Sequence, residues 1–172
     1  MPVHNSDIAA VFNETADLLE IKGENQFRIR AYRNAARVVG DFSQNAADLI
    51  EKGEKLDRFP GIGKDLAGKI ATVAQSGTLP LRDELRREFS PDMVQLMKIS
   101  GLGGKRVERL YRELGIRSLD DLEKAAKEGN IRSLADFGEK TERNILEGIG
   151  QVRTGERRVL LNVADDIAGP LL

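Results

Sequence analysis

The chain has 172 residues, of which 40% are hydrophobic and 32% charged, with a net charge of -1; that is enough apolar material for one ordinary domain or two small ones, and it excludes disorder throughout. There is no cysteine, no tryptophan and only one histidine, His4, which rules out disulfides, zinc–thiolate centres and thiol nucleophiles and fits a reducing compartment. No apolar run approaches the roughly 18–20 residues of a membrane span and no signal-like amino terminus is present, so a soluble, cytoplasmic protein with no membrane partner is expected.

Period-two alternation is scarce and helical spacing recurs, which predicts an all-α protein. Ser6 or Asp7 can cap a first helix with Ile8, Val11, Phe12, Thr15, Leu18 and Leu19 on one face, ending near Gly23. Its other face is acidic and could serve a partner. A second helix runs from about Asn25 through Phe27, Ile29, Tyr32, Ala35, Ala36 and Val39 to Gly40, and a third covers Asn45 to Lys52. Pro60, Gly61 and Gly63 then break the chain before a helix from Lys64 to about Ser76. Gly77-Thr78-Leu79-Pro80 marks a boundary, beyond which helices are expected over Leu81–Phe89, Pro91–Lys98, Lys105–Leu114, Asp120–Glu128 and Glu139–Gln151.

One unit repeats. Phe59-Pro60-Gly61-Ile62-Gly63-Lys64 and Ile99-Ser100-Gly101-Leu102-Gly103-Gly104 share an apolar residue, a spacer and Gly-apolar-Gly opening a helix. The stretch Leu134-Ala135-Asp136-Phe137-Gly138 looks like a third copy with a single glycine, and reads first as packing. A helix starts with N–H groups that lack intrahelical partners and with the positive end of its dipole, so it receives an anion without any charged side chain. Glycine adds positive φ for the turn and an unobstructed approach for a phosphate oxygen. Ile62 and Leu102, between the glycines, should point inward and pin the two helices. No strand precedes the glycines and the P-loop spacing is absent, which excludes the nucleotide-binding motifs built on a strand.

Charge is segregated along the chain. Asp7, Glu14, Asp17 and Glu20 are the only charged residues up to position 20, after which Lys22, Arg28, Arg30, Arg33 and Arg37 face only Glu24. A second basic stretch holds Lys98, Lys105, Arg106, Arg109, Arg112 and Arg117 against Glu108 and Glu113. Local positive faces can therefore exist on a nearly neutral molecule. Backbone-phosphate binding of this kind is largely indifferent to base sequence and weakens with salt.

In order and spacing, Arg30-Ala31-Tyr32-Arg33-Asn34-Ala35-Ala36, Phe59-Pro60-Gly61-Ile62-Gly63-Lys64 with Lys69, Ile99-Ser100-Gly101-Leu102-Gly103 and Phe137 through Ile145 resemble the amino-terminal part of family X DNA polymerases of the bacterial and archaeal repair type. The resemblance implies two small helical subdomains, each with a helix-hairpin-helix motif: residues 1–78 as a lyase-like domain at the 5′-phosphate side of a gap, and residues 79–152 as a fingers-like domain at the primer side. Residues 153–172 would begin a palm domain or form a tail, so no nucleotidyl transfer is expected from this chain alone. The implied partner is gapped or nicked DNA or a 5′-phosphate end, bound by a monomer in a base-excision-repair, nucleoid-associated setting. Its DNA contacts would come from Arg28, Tyr32, Arg33, Gly61, Gly63, Lys64, Lys69, Gly101, Gly103, Lys105, Arg106 and Arg109. No organic cofactor is implied; a monovalent cation, Na+ or K+, would be held by the backbone carbonyls of Asp57, Phe59 and Ile62 in one hairpin and of Met97, Ile99 and Leu102 in the other.

Some members of that family form a Schiff base between a lysine and the 5′-deoxyribose phosphate and release it by β-elimination. The matching residues are Lys69 as nucleophile and Tyr32 beside it, with Arg28 where the family has a phosphate-binding lysine. The accessory lysines of lyase-competent relatives are replaced by Asp57, Asp65, Thr78 and Leu81. Asp65, one turn before Lys69, would favour the ammonium form, the wrong direction for a nucleophile. A third class, docking of another protein on the helix faces, remains as an alternative to DNA binding.

Overall fold

The structure is a computed structural model that describes residues 3–168, with the side chains of residues 3–155. Nine α-helices and no strand occur among the described residues. Helix α1 (Asn5–Lys22) buries Ile8, Val11, Phe12, Thr15, Leu18, Leu19 and Ile21. It starts at Asn5, ahead of the expected caps, because the His4 N–H donates to the Asp7 carboxylate at 3.0 Å from within the first turn. Gly23, at φ 84°, ends it in the left-handed conformation that glycine adopts without strain. Helix α2 (Gln26–Gly40) is capped by Asn25, whose Oδ1 accepts from the Phe27 N–H at 2.7 Å, and lays Ile29, Tyr32, Ala35, Ala36 and Val39 against α1. The Phe12 and Tyr32 rings meet there at 5.7 Å between centroids.

Helix α3 (Ala46–Glu51) is tied to α1 by Asn5, which accepts from the Ala46 N–H and donates to the Gln44 carbonyl, both at 2.8 Å. Helix α4 (Lys64–Ser76) closes the first half. The second half runs through α5 (Pro80–Glu88), α6 (Pro91–Leu96), α7 (Gly104–Leu114), α8 (Leu119–Lys127) and α9 (Glu139–Ala168). The prolines at the starts of α5 and α6 give up no needed N–H there. Helix α9 continues past Gln151, where the sequence pattern predicted its end, and Arg153 pairs with Asp120 and Glu123 of α8. Of the segment 153–172, read as a palm start or tail, the side chains from 156 onward lie outside the described residues.

Helix α1 is the common wall of both halves. It packs on α2 and α4 on one side and on α5, α6 and α7 on the other, so the buried residues form one continuous core. Its acidic face, which the sequence left open to a partner, is largely taken up by the chain itself, Asp17 and Glu20 by Arg33 of α2 and Glu14 by α5. Glu14 takes Arg82 and Arg86 at 3.5 and 2.7 Å, and Lys22 takes Glu88 at 3.5 Å. Two buried polar residues are satisfied: Thr15 donates to the Val11 carbonyl at 2.7 Å, and Glu142 accepts from the Arg132 backbone and guanidinium at 3.0 Å each.

Candidate phosphate-binding hairpins

The two Gly-apolar-Gly segments fold alike. A 3-10 turn over Leu56–Arg58 leads into Phe59, Gly61 turns at φ +86°, Ile62 is buried, and Gly63 (φ −85°, ψ 178°) opens α4. In the second copy Gly101 turns at φ +88°, Leu102 is buried, and Gly103 (φ −87°, ψ 177°) opens α7. The Ile62 N–H donates to the Phe59 carbonyl at 3.1 Å and the Leu102 N–H to the Ile99 carbonyl at 3.0 Å. The two glycines of each pair thus serve different ends. The first supplies the left-handed turn. The second is extended, a conformation open to any residue, and stands on an exposed surface with open space beside it. At Gly63 the missing side chain keeps the start of α4 clear for an incoming group. No side chain caps α4, so the first-turn N–H groups near Gly63 and Lys64 face outward.

The third copy has the same course. After a 3-10 turn over Ile131–Ser133, Asp136 takes φ +73°, the one non-glycine positive φ among the described residues, and Phe137 is buried ahead of α9. Aspartate is among the few side chains that tolerate this conformation. Its carboxylate binds Arg109 at 2.7 Å, and Arg106 lies over the Phe137 ring at 5.3 Å. This hairpin therefore spends its loop on the neighbouring hairpin's arginines, in keeping with the packing role read from its single glycine.

Helix α2 connects the first two hairpins. Asn34 fills the room beside Gly61, where a Cβ would stand 2.1 Å from its Nδ2, and its Oδ1 accepts from Arg37 at 2.5 Å. One residue earlier, Arg33 binds Asp17 at 2.8 Å and Glu20 at 3.5 Å, and Glu20 accepts the Gly104 N–H at 2.9 Å. The sequence did not point to Asn34, Glu20 or Gly104. Burial pushes the Asp17 carboxyl up from its usual range, against the opposing pull of Arg33. Of the other residues singled out from sequence, Arg28 pairs with Glu24 at 3.4 Å, Arg106 donates to the Gly101 carbonyl at 2.9 Å, and Lys64 and Lys105 are exposed with no ion pair among the described residues.

Lys69 and Tyr32 do come together. The Lys69 ammonium sits 5.3 Å from the centre of the Tyr32 ring, and the Tyr32 hydroxyl is buried without a hydrogen-bond partner. Partial burial acts to lower the Lys69 pKa, but Asp65, at 2.8 Å, together with Tyr32 outweighs it, and the group ends above the ordinary lysine value. As for the cation, the Phe59 and Ile99 carbonyls each accept a single turn bond and keep a lone pair, and those of Ile62 and Leu102 accept none of the loop backbone bonds. An all-oxygen donor set of this kind fits a hard monovalent ion.

A helix-hairpin-helix domain model matches residues 3–79, and a SAM-like helix-hairpin-helix tandem model matches residues 93–151, taking in both the Gly101 and the Asp136 hairpins. The chain is 31% identical over 166 residues to the DNA polymerase/3'-5' exonuclease PolX of Bacillus subtilis (strain 168). That alignment covers 96% of this chain and 28% of the relative's length. Among the described residues no helix is long and apolar enough to cross a membrane.

Proposed function

Since the chain corresponds to the amino-terminal, helix-hairpin-helix region of a family X DNA polymerase, we propose that it holds gapped or nicked DNA by its backbone phosphates, without reading bases. The observation that carries this is the uncapped, outward-facing start of α4 behind Gly61 and Gly63, with the exposed Lys64 beside it. Arg28, Tyr32, Arg33 and Lys69 border the same half, and Gly101, Gly103, Lys105, Arg106 and Arg109 supply the second grip. A Na+ or K+ ion would sit on the carbonyls of Asp57, Phe59 and Ile62, and on those of Met97, Ile99 and Leu102, and lend positive charge against a phosphate oxygen.

The test is affinity for a short-gap duplex, with and without a 5′-phosphate, across a salt series. Binding should fall log-linearly with salt, by about 0.9 log unit per tenfold salt for each phosphate neutralised, and should weaken when the 5′-phosphate is removed. Indifference to any DNA would overturn the reading and favour protein docking.

The pairing of Lys69 with an unpartnered Tyr32 hydroxyl supports a second reading, 5′-deoxyribose-phosphate lyase chemistry. A Schiff base needs the neutral amine. Because the Lys69 pKa is raised, the ammonium persists at neutral pH and the amine appears only as pH rises through that value. Borohydride trapping on an abasic 5′ end should therefore be weak near neutrality and grow toward alkaline pH. Asp65→Asn should move that growth to lower pH, and Lys69→Ala should abolish the adduct. A trapped adduct that survives Lys69→Ala would exclude Lys69 as the nucleophile.

A further inference from the structure

We propose that Glu20 gates the second hairpin: its carboxylate occupies the place a DNA phosphate would take at the start of α7, and that hairpin engages DNA only when α1 draws away. The inference rests on the DNA-binding reading above and adds to it a competition inside the chain.

The two hairpins have the same backbone but opposite surroundings. The start of α4 is open, whereas Gly104 is buried and gives its N–H to Glu20 Oε2 at 2.9 Å. To a helix start, a carboxylate oxygen and a phosphate oxygen present the same charge and the same acceptor. The side chain alone does not block the site. A Cβ at Gly104 would meet the Glu20 backbone carbon at 2.7 Å, so α1 itself lies against the start of α7 at the residue whose N–H Glu20 already takes. The first hairpin carries Lys64 at the position of Gly104. The third glycine of the second hairpin is thus accounted for by the approach of α1. Arg33, bound to both Asp17 and Glu20, holds the carboxylate in position from the α2 side.

The rest of the seam can yield. Its rim consists of Glu14 with Arg82 and Arg86, and of Lys22 with Glu88; the Lys22–Glu88 pair and the Arg86 end are exposed to solvent, the kind of ion pair that is individually weak and screened by salt, while Arg82 and Glu14 lie deeper. A polyanion offers Arg86, the more exposed of the two arginines, an alternative partner at the same moment as it competes with Glu20.

The experiment is fluorescence anisotropy of a labelled gapped duplex with the full chain, with Glu20→Gln and Glu20→Ala, and with Glu84→Gln, which removes the same charge from α5 outside this contact. Both Glu20 variants should bind about tenfold more tightly than the parent, the scale of one charge-assisted hydrogen bond, and Glu84→Gln should not match them. The chain has no cysteine of its own, so Lys22→Cys and Glu88→Cys can be bridged by a short cleavable linker. The bridge should cancel the gain from Glu20→Ala, and cleavage should restore it. The Gly104 amide resonance should shift when the parent binds DNA. A parent that binds DNA while both Glu20 variants stay within about twofold of it and the Gly104 amide does not move overturns the gate alone. A parent that binds no duplex overturns the DNA-binding reading, and the gate falls with it.

Discussion

Gly61→Val is expected to weaken DNA binding by about 10- to 100-fold, the scale of one lost charge-assisted hydrogen bond to a phosphate, and to cost the fold about 2 kcal/mol. Gly61 sits at φ +86°, where a β-branched side chain clashes with its own backbone. The new side chain would also displace Asn34, and with it the Asn34–Arg37 hydrogen bond on the face of α2 that borders the hairpin. Relaxation of that turn re-aims the α4 amides, which have no other means of meeting a phosphate. For a chain of this size the thermal midpoint should fall by roughly 4–8 °C. Removing Arg28, paired only with Glu24 on its own helix, takes away one screened charge and should cost only a few-fold. Gly101→Val has the same backbone strain at φ +88° but open surroundings, its nearest atom being Arg106 NH1 at 4.0 Å. With Glu20 already on the neighbouring helix start, its effect on binding should be the smaller of the two. Parent-like affinity in a Gly61→Val protein with a parent-like midpoint would remove the first hairpin from the mechanism.

What could be read in the sequence was local. Gly23, Gly77 and Gly115 each end a helix in the left-handed conformation, and Pro80 and Pro91 open α5 and α6, so helix positions followed from signals a few residues long. The hairpins were legible because the pattern occurs twice with the same inward apolar residue. The third lacks the first glycine because Asp136 reaches the positive φ in its place and is held there by Arg109. The contact between Glu20 and Gly104 spans 84 positions in sequence, and no periodicity encodes such a distance. Glu20 lies on the polar side of α1, where a carboxylate looks like solvated surface until a second helix end is placed against it.

The two adjacent glycines that open α7 test how much of this depends on α1. Gly103→Ala should change stability by no more than about 0.5 kcal/mol, because its φ is −87° and a Cβ there meets nothing within 4 Å. Gly104→Val should cost about 3 kcal/mol or more, since its Cβ would stand 2.6 Å from Glu20 Cγ and 2.7 Å from the Glu20 backbone carbon. A side-chain tip can swing aside, but the backbone of a helix whose opposite face is packed on α2 cannot. Helices α1 and α7 must therefore separate, exposing Val107 and Leu110 of α7. Thermal melts should give a midpoint lowered by roughly 6–12 °C for Gly104→Val and near the parent's for Gly103→Ala. Limited proteolysis should cut Gly104→Val first in the Gly77–Leu79 connection between the halves, since separation frees that segment while each half keeps its own helices. Equal midpoints for the two variants would mean that α1 does not press on the start of α7, and the continuous core through α1 would have to be redrawn as two independent ones.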